Sequence, residues 1–332
     1  MSDTSSIDKR AAVPGSTIRT LIRATTARKE FSVFVALLVL SIIVSLMSPY
    51  FLTVENIFNV LRQFSIIGIL AVGEALIIIT GGIDLSVGSL VGLSGILTGL
   101  FAGAGIPTLP LFFLVIIAGC LLGSVNGLLV TRIGINPFIA TLGMLSIARG
   151  GALLITGGLP ISVDNKINFL GDGYLGPVPV SAVIMFIVAI VGHIFATRTL
   201  PGRNVFAVGN NERAAKLSGI RVKSTKMMVF MIMGGLCALS GIILSGTLSS
   251  AEPTAGTGYE LDVIAAVVMG GASLSGGIGS IIGVIFGAAL MGVLRNGFVL
   301  MGVSAYWQVV AIGVVIIAAV SLDSLSSKKA GS

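Results

Sequence analysis

The stretch Gly202–Lys226, G-R-N-V-F-A-V-G-N-N-E-R-A-A-K-L-S-G-I-R-V-K-S-T-K, is a charged island in a chain that is otherwise nearly continuous apolar sequence. Asn210-Asn211-Glu212 opens a short helix, because Asn caps the first free N–H groups and an early acidic residue suits the positive helix end. Gly219 closes it as a left-handed cap. At 100° per residue, Ala214, Ala215, Leu217 and Ser218 occupy one arc and Glu212, Arg213 and Lys216 the other. Two turns of helix are unstable alone in water, so this one is expected to dock. Its small, Ala-rich face suits a groove on a partner.

Outward from the island the chain is membrane. Of its 332 residues 55% are hydrophobic and 10% charged, with mean hydropathy +1.08, against about 25% charged in soluble domains. The 45 glycines fit helices whose backbones approach closely. Runs of about 17–25 apolar residues predict an all-α bundle of about ten crossings. They lie near 31–48, 64–80, 87–104, 110–130, 137–157, 179–196, 227–248, 261–275, 280–300 and 306–322. The third and eighth are Gly-rich and open to being short, broken or re-entrant. The first run begins at Phe31 without a small-x-small cleavage pattern and reads as a retained anchor.

Lys and Arg set the orientation. With ten spans and the amino terminus inside, 16 of the 20 basic residues fall on the inner side. The positive-inside rule then makes three parts cytoplasmic: the tail 1–30, the loop 197–226 and the tail 323–332. The segment 158–178, with Pro160, Asp164, Lys166, Asp172 and Pro177, becomes an extracytoplasmic loop with room for a short helix. It is either a plain connector or a docking surface. The net charge of +7 is explained by these loops. No basic, aromatic-interleaved soluble domain is available for nucleic acid.

Catalytic and energy-converting signatures are absent. There is no G-x-x-x-x-G-K-[ST] loop, no G-x-S-x-G and one histidine, His193. Cys120 and Cys237 sit in apolar runs and read as small buried hydrophobes, not as metal ligands or a disulfide. No cofactor is implied. Ionisable groups in or near spans are Glu74, Asp84, Arg149, Asp262 and Arg295. Each must be paired, peripheral or facing a cavity, because a charge at the bilayer centre costs about 2.5–3.5 kcal/mol. Glu74 and Arg149 are placed to pair across the bundle. The driving force is therefore expected from a bound cytosolic motor.

Three motifs carry a family resemblance. Gly81-Gly82-Ile83-Asp84-Leu85-Ser86-Val87-Gly88-Ser89 is one. Leu248 to Asp262, L-S-S-A-E-P-T-A-G-T-G-Y-E-L-D, continuing as I-A-A-V-V-M-G-G-A-S-L from Ile264, is the second. Gly209-Asn210-Asn211-Glu212-Arg213-Ala214-Ala215 with Leu217-Ser218-Gly219-Ile220 is the third. Together they resemble the ribose-type sugar permeases of ATP-binding-cassette importers, over 31–322.

The resemblance implies a permease that pairs with a second permease copy in the inner-membrane lipid. Separate ATPase subunits would drive it, and an extracytoplasmic sugar-binding protein would supply it. It implies that Glu212, Ala214, Ala215, Leu217, Gly219 and Ile220 couple to the ATPase. It leaves the solute open among ribose, other monosaccharides and small polyols. Asp84, Ser86, Asn126, Asn136 and Asn296 are the candidate path residues, as polar groups at membrane depth. Two alternatives stay open: a permease of the same type for another small polar solute such as an amino acid, and an ion-coupled secondary carrier.

Overall fold

A computed structural model describes residues 15–163 and 165–330; Asp164 and the outermost residues of the two tails lie outside them. Thirteen α-helices carry the fold. They are α1 (Gly15–Met47), α2 (Val54–Ile79), α3 (Val87–Gly103), α4 (Thr108–Leu128), α5 (Pro137–Thr156), α6 (Asn165–Asp172) and α7 (Val180–Arg198). There follow α8 (Leu200–Asn210), α9 (Glu212–Leu217), α10 (Val222–Leu248), α11 (Tyr259–Met269), α12 (Ile281–Leu300) and α13 (Ala305–Ala330). Two short antiparallel pairs complete it. β1 (Ile161–Ser162) joins β4 (Ser250–Ala251), and β2 (Tyr174–Leu175) joins β3 (Val178–Pro179).

Seven of the helices are long and apolar enough to cross a bilayer, and α3 and the described apolar part of α13 are shorter. The eighth run, 261–275, which the sequence leaves open to being short or broken, forms the 11-residue α11. Glycines set both of its ends. Gly258 precedes it at φ 86° and Gly271 follows at φ 89°, in the left-handed region that breaks an α-helix. Helix α1 starts at Gly15, and its part long and apolar enough to cross a bilayer is Glu30–Met47.

Helices of similar hydropathy occupy opposite environments. From Phe64 to Ile79 every residue of α2 is buried, and the helix is the axis of the bundle. In α1 apolar side chains such as Phe31, Ile42 and Leu46 face outward, as lipid contact requires. Glycine spacing then decides which helices touch. Gly119, Gly123 and Gly127 line one face of α4; a Cβ at Gly123 would lie 2.2 Å from the Phe230 carbonyl of α10. Only glycine lets these antiparallel helices meet backbone to backbone.

The approach to α11 is the irregular part. After α10, Ser249 turns the chain (φ 51°) into β4. The chain then runs down α3: the space beside Gly99 is filled by Ala251, that beside Gly92 by Ala255, and that beside Gly88 by Gly256. Eleven residues of helix rise about 16 Å, half of a hydrocarbon core of about 30 Å, so α11 is too short to cross it. Backbone carbonyls there need internal partners. Arg149 supplies them, its Nη1 donating to Pro253 O (2.6 Å) and Ala255 O (2.8 Å). The expected Glu74–Arg149 pair is therefore corrected: the guanidinium is spent on the carbonyls that the broken helix exposes.

Candidate functional site

A cavity of about 350 Å³ opens between α2, α10, α11 and α12. Aliphatic walls come from Ile66, Ile67, Ile243 and Leu244. Polar groups come from Arg62 and Gln63 on α2, Thr247 on α10, Tyr259 and Asp262 on α11, Arg295 on α12 and Gln308 on α13. Tyr259 and Asp262 both lie in the first turn of α11, which faces the cavity. Asp262 in its first turn also complements the positive helix end.

Each cation of this cavity has its own anion. Arg295 Nη2 donates to Asp262 Oδ2 at 2.5 Å, with Asp262 3% and Arg295 40% exposed. Arg62 donates to Asp172 at the end of α6 and to the Tyr174 hydroxyl of β2, with its guanidinium 5.4 Å from that ring. Donors and acceptors thus line the space without a surplus charge among them. Nucleophile–base pairs are not part of it, and the arrangement suits holding a small neutral solute.

None of the five sequence-expected path residues lines this cavity. Asp84, Ser86 and Asn126 do come together, off to one side with Glu74. Ser86 N and Oγ donate to Asp84 Oδ1 (2.8 and 2.5 Å), and Asn126 Nδ2 donates to Ser86 Oγ (2.9 Å). Asn136 is instead the N-cap of α5, accepting from Phe138 N at 2.9 Å. Asn296 exchanges amide hydrogen bonds with Asn56 at 2.8 and 3.0 Å, tying α12 to the start of α2. Polarity at these two positions goes to a helix cap and to a helix–helix pair, whose bonds are worth about 0.6 kcal/mol each on average. Of the residues that line the cavity, Arg62, Gln63, Thr247, Tyr259 and Gln308 escaped the sequence reading. The usable signal was the requirement that Asp262 and Arg295 face a partner or a cavity.

The island folds as its residues imply. Asn211 caps α9 by accepting from Ala214 N (2.9 Å), and Gly219 follows at φ 82°. The expected six contact residues divide. Ala215 packs inward on Val208 and Val222, with Ile220 beside them, because this small cluster is what holds so short a helix in place. Leu217 is 90% exposed, Ala214 also faces outward, and Glu212 pairs with Lys226 at 2.6 Å. A groove of about 480 Å³ runs beside them, lined by Leu200, Ser218, Gly219 and Met228. Within the island, Gly209 of α8 touches bare backbone: a Cβ there would lie 1.7 Å from Ile79 O and 2.5 Å from Gly277 N. Those two are themselves bonded, Gly277 N donating to Ile79 O at 2.8 Å.

Known proteins resemble the chain over most of its length. A family model described as a branched-chain amino acid transport system permease component matches residues 56–320. The ribose import permease protein RbsC of Escherichia coli (strain K12) is 44% identical over 295 residues, 87% of this chain and 92% of that protein. The D-allose transport system permease protein AlsC of the same strain is 39% identical, over 89% and 91%. Its galactose/methyl galactoside import permease protein MglC is 36% identical, over 90% and 95%. No solved structure matches.

Proposed function

We propose that this chain, which belongs to the ribose-type permeases of ATP-binding-cassette importers, admits a neutral monosaccharide or small polyol to the cytoplasm. Members of that family are multi-pass membrane transport subunits and not enzymes. A separate ATPase drives the transport, and an extracytoplasmic binding protein delivers the solute to a pair of permeases. The observation that carries the solute class is the cavity, whose arginines are each satisfied by a carboxylate of the chain itself. Hydroxyls can bond to the edges of such pairs and to Gln63, Thr247, Tyr259 and Gln308. A free amino acid would have to break the Asp262–Arg295 pair to find charged partners. About 350 Å³ is at the small end of ligand sites, which suits a single sugar ring.

The basic residues of the island and the tails support a cytoplasmic position for α8 and α9. The cavity then lies toward the outer end, below Asp172 and Tyr174. Leu217 and Ala214, exposed on a helix capped at both ends, form the face offered to the ATPase. Closure of the ATPase would press that face and switch access between the two sides.

The test is uptake by vesicles holding the permease, the ATPase and the binding protein. A panel of labelled ribose, allose, galactose and leucine is expected to show ATP-dependent sugar uptake that survives collapse of ion gradients. Leu217→Asp is expected to abolish uptake while the protein stays in the membrane. Accumulation of solute by the purified chain alone, against a gradient, would falsify the assignment.

A further inference from the structure

We infer that Glu74, Asp84 and Asn126 bind one small, hard cation inside the bundle, away from the solute cavity. Glu74 lies on α2, and the loop after α2 folds back so that Asp84 N donates to Glu74 Oε1 at 3.0 Å. Ser86, held on Asp84 Oδ1, accepts the amide of Asn126 from α4. Glu74, Ser86 and Asn126 are fully buried and Asp84 is 1% exposed.

Three atoms of this cluster are left without a hydrogen-bond partner: Glu74 Oε2, Asp84 Oδ2 and Asn126 Oδ1. All three are acceptors, and each belongs to a side chain whose other polar atom is already committed to the same cluster. Most nearby donors are committed: Asp84 N to Glu74, both Ser86 donors to Asp84, and one Nδ2 hydrogen of Asn126 to Ser86. Two partners fit these acceptors, a proton held on one carboxyl or a bound cation, and an ion-dependent melt separates them. Among the described residues no ion pair reaches either carboxyl. Two carboxylates sealed from water beside a fully buried amide oxygen are costly without a counter-charge. An all-oxygen donor set with two formal negative charges is the chemistry of a hard cation. A divalent ion balances that charge in full, whereas sodium leaves one negative charge behind. Bound there, the ion would staple α2, the loop Gly81–Ser86 and α4 together.

The site does not line the cavity, so stability is the readout. Purified protein in detergent is stripped with chelator. It is then melted in choline chloride of matched ionic strength with added Ca²⁺, Mg²⁺ or Na⁺. A rise in Tm of a few degrees with one of these ions is expected at saturation, the divalent arms exceeding sodium. It should disappear in both Glu74→Gln and Asp84→Asn. No ion-specific rise, or a rise undiminished in both variants, overturns the proposal. Should the variants not fold, calorimetric titration of the unaltered chain decides. One site per chain supports the proposal, and none or many weak sites overturns it.

Discussion

Two places in this bundle bury carboxyl groups, and they do so in opposite ways. Beside the cavity, Asp262 is matched by Arg295 at 2.5 Å, a cation that still reaches toward solvent. At the α2–α3 turn, Glu74 and Asp84 share amide and hydroxyl donors, with no basic partner among the described residues. The first site is balanced by the chain itself. The second has no charged partner within the described residues. Removing a charge should therefore harm the first and relieve the second.

The largest effect is expected from Arg295→Gln, which strands Asp262. Breaking a fully buried pair costs about 3–5 kcal/mol. Since Arg295 is 40% exposed, we expect about 1–3 kcal/mol, read as a fall in Tm, with sugar uptake down at least about tenfold. Next, adding Asp262→Asn to Arg295→Gln should return most of the lost Tm, because the pair then disappears whole. A double variant as unstable as the single one would break the comparison. Third, Glu74→Gln, melted in cation-free buffer, should keep or raise Tm, by about 1 kcal/mol; a clear fall would mean that this site is balanced after all. The smallest change is Arg62→Lys at the cavity mouth, where Asp172 is 57% exposed. It loses the forked contact to Asp172 and Tyr174 at a cost of about 0.5 kcal/mol. Tm should barely move, while limited proteolysis of the 165–175 segment speeds up severalfold.

What could be seen beforehand follows the range of the forces. The helix at Glu212–Leu217 was legible because a cap and a left-handed glycine act within three residues. The membrane class and the long helices followed from hydropathy alone. The half-length α11 was legible only as an open possibility, because hydropathy treats Gly271 as apolar and is blind to the turn it makes. Nor does hydropathy separate α2, which lies at the centre, from α1, which faces lipid. The cavity was hidden for a different reason. Its pairs join Arg62 to Asp172 and Asp262 to Arg295, residues 110 and 33 positions apart. Asn136 and Asn296, picked for their polarity, satisfy a helix end and another asparagine instead.

Gly209, Ile79 and Gly277 meet without a side chain among them. Ordinary packing yields under load, because rotamers can change and soak up a small shove. Three main chains in direct abutment have no such slack. Any displacement of α8 at Gly209 therefore bears directly on the last carbonyl of α2 and on the strap before α12.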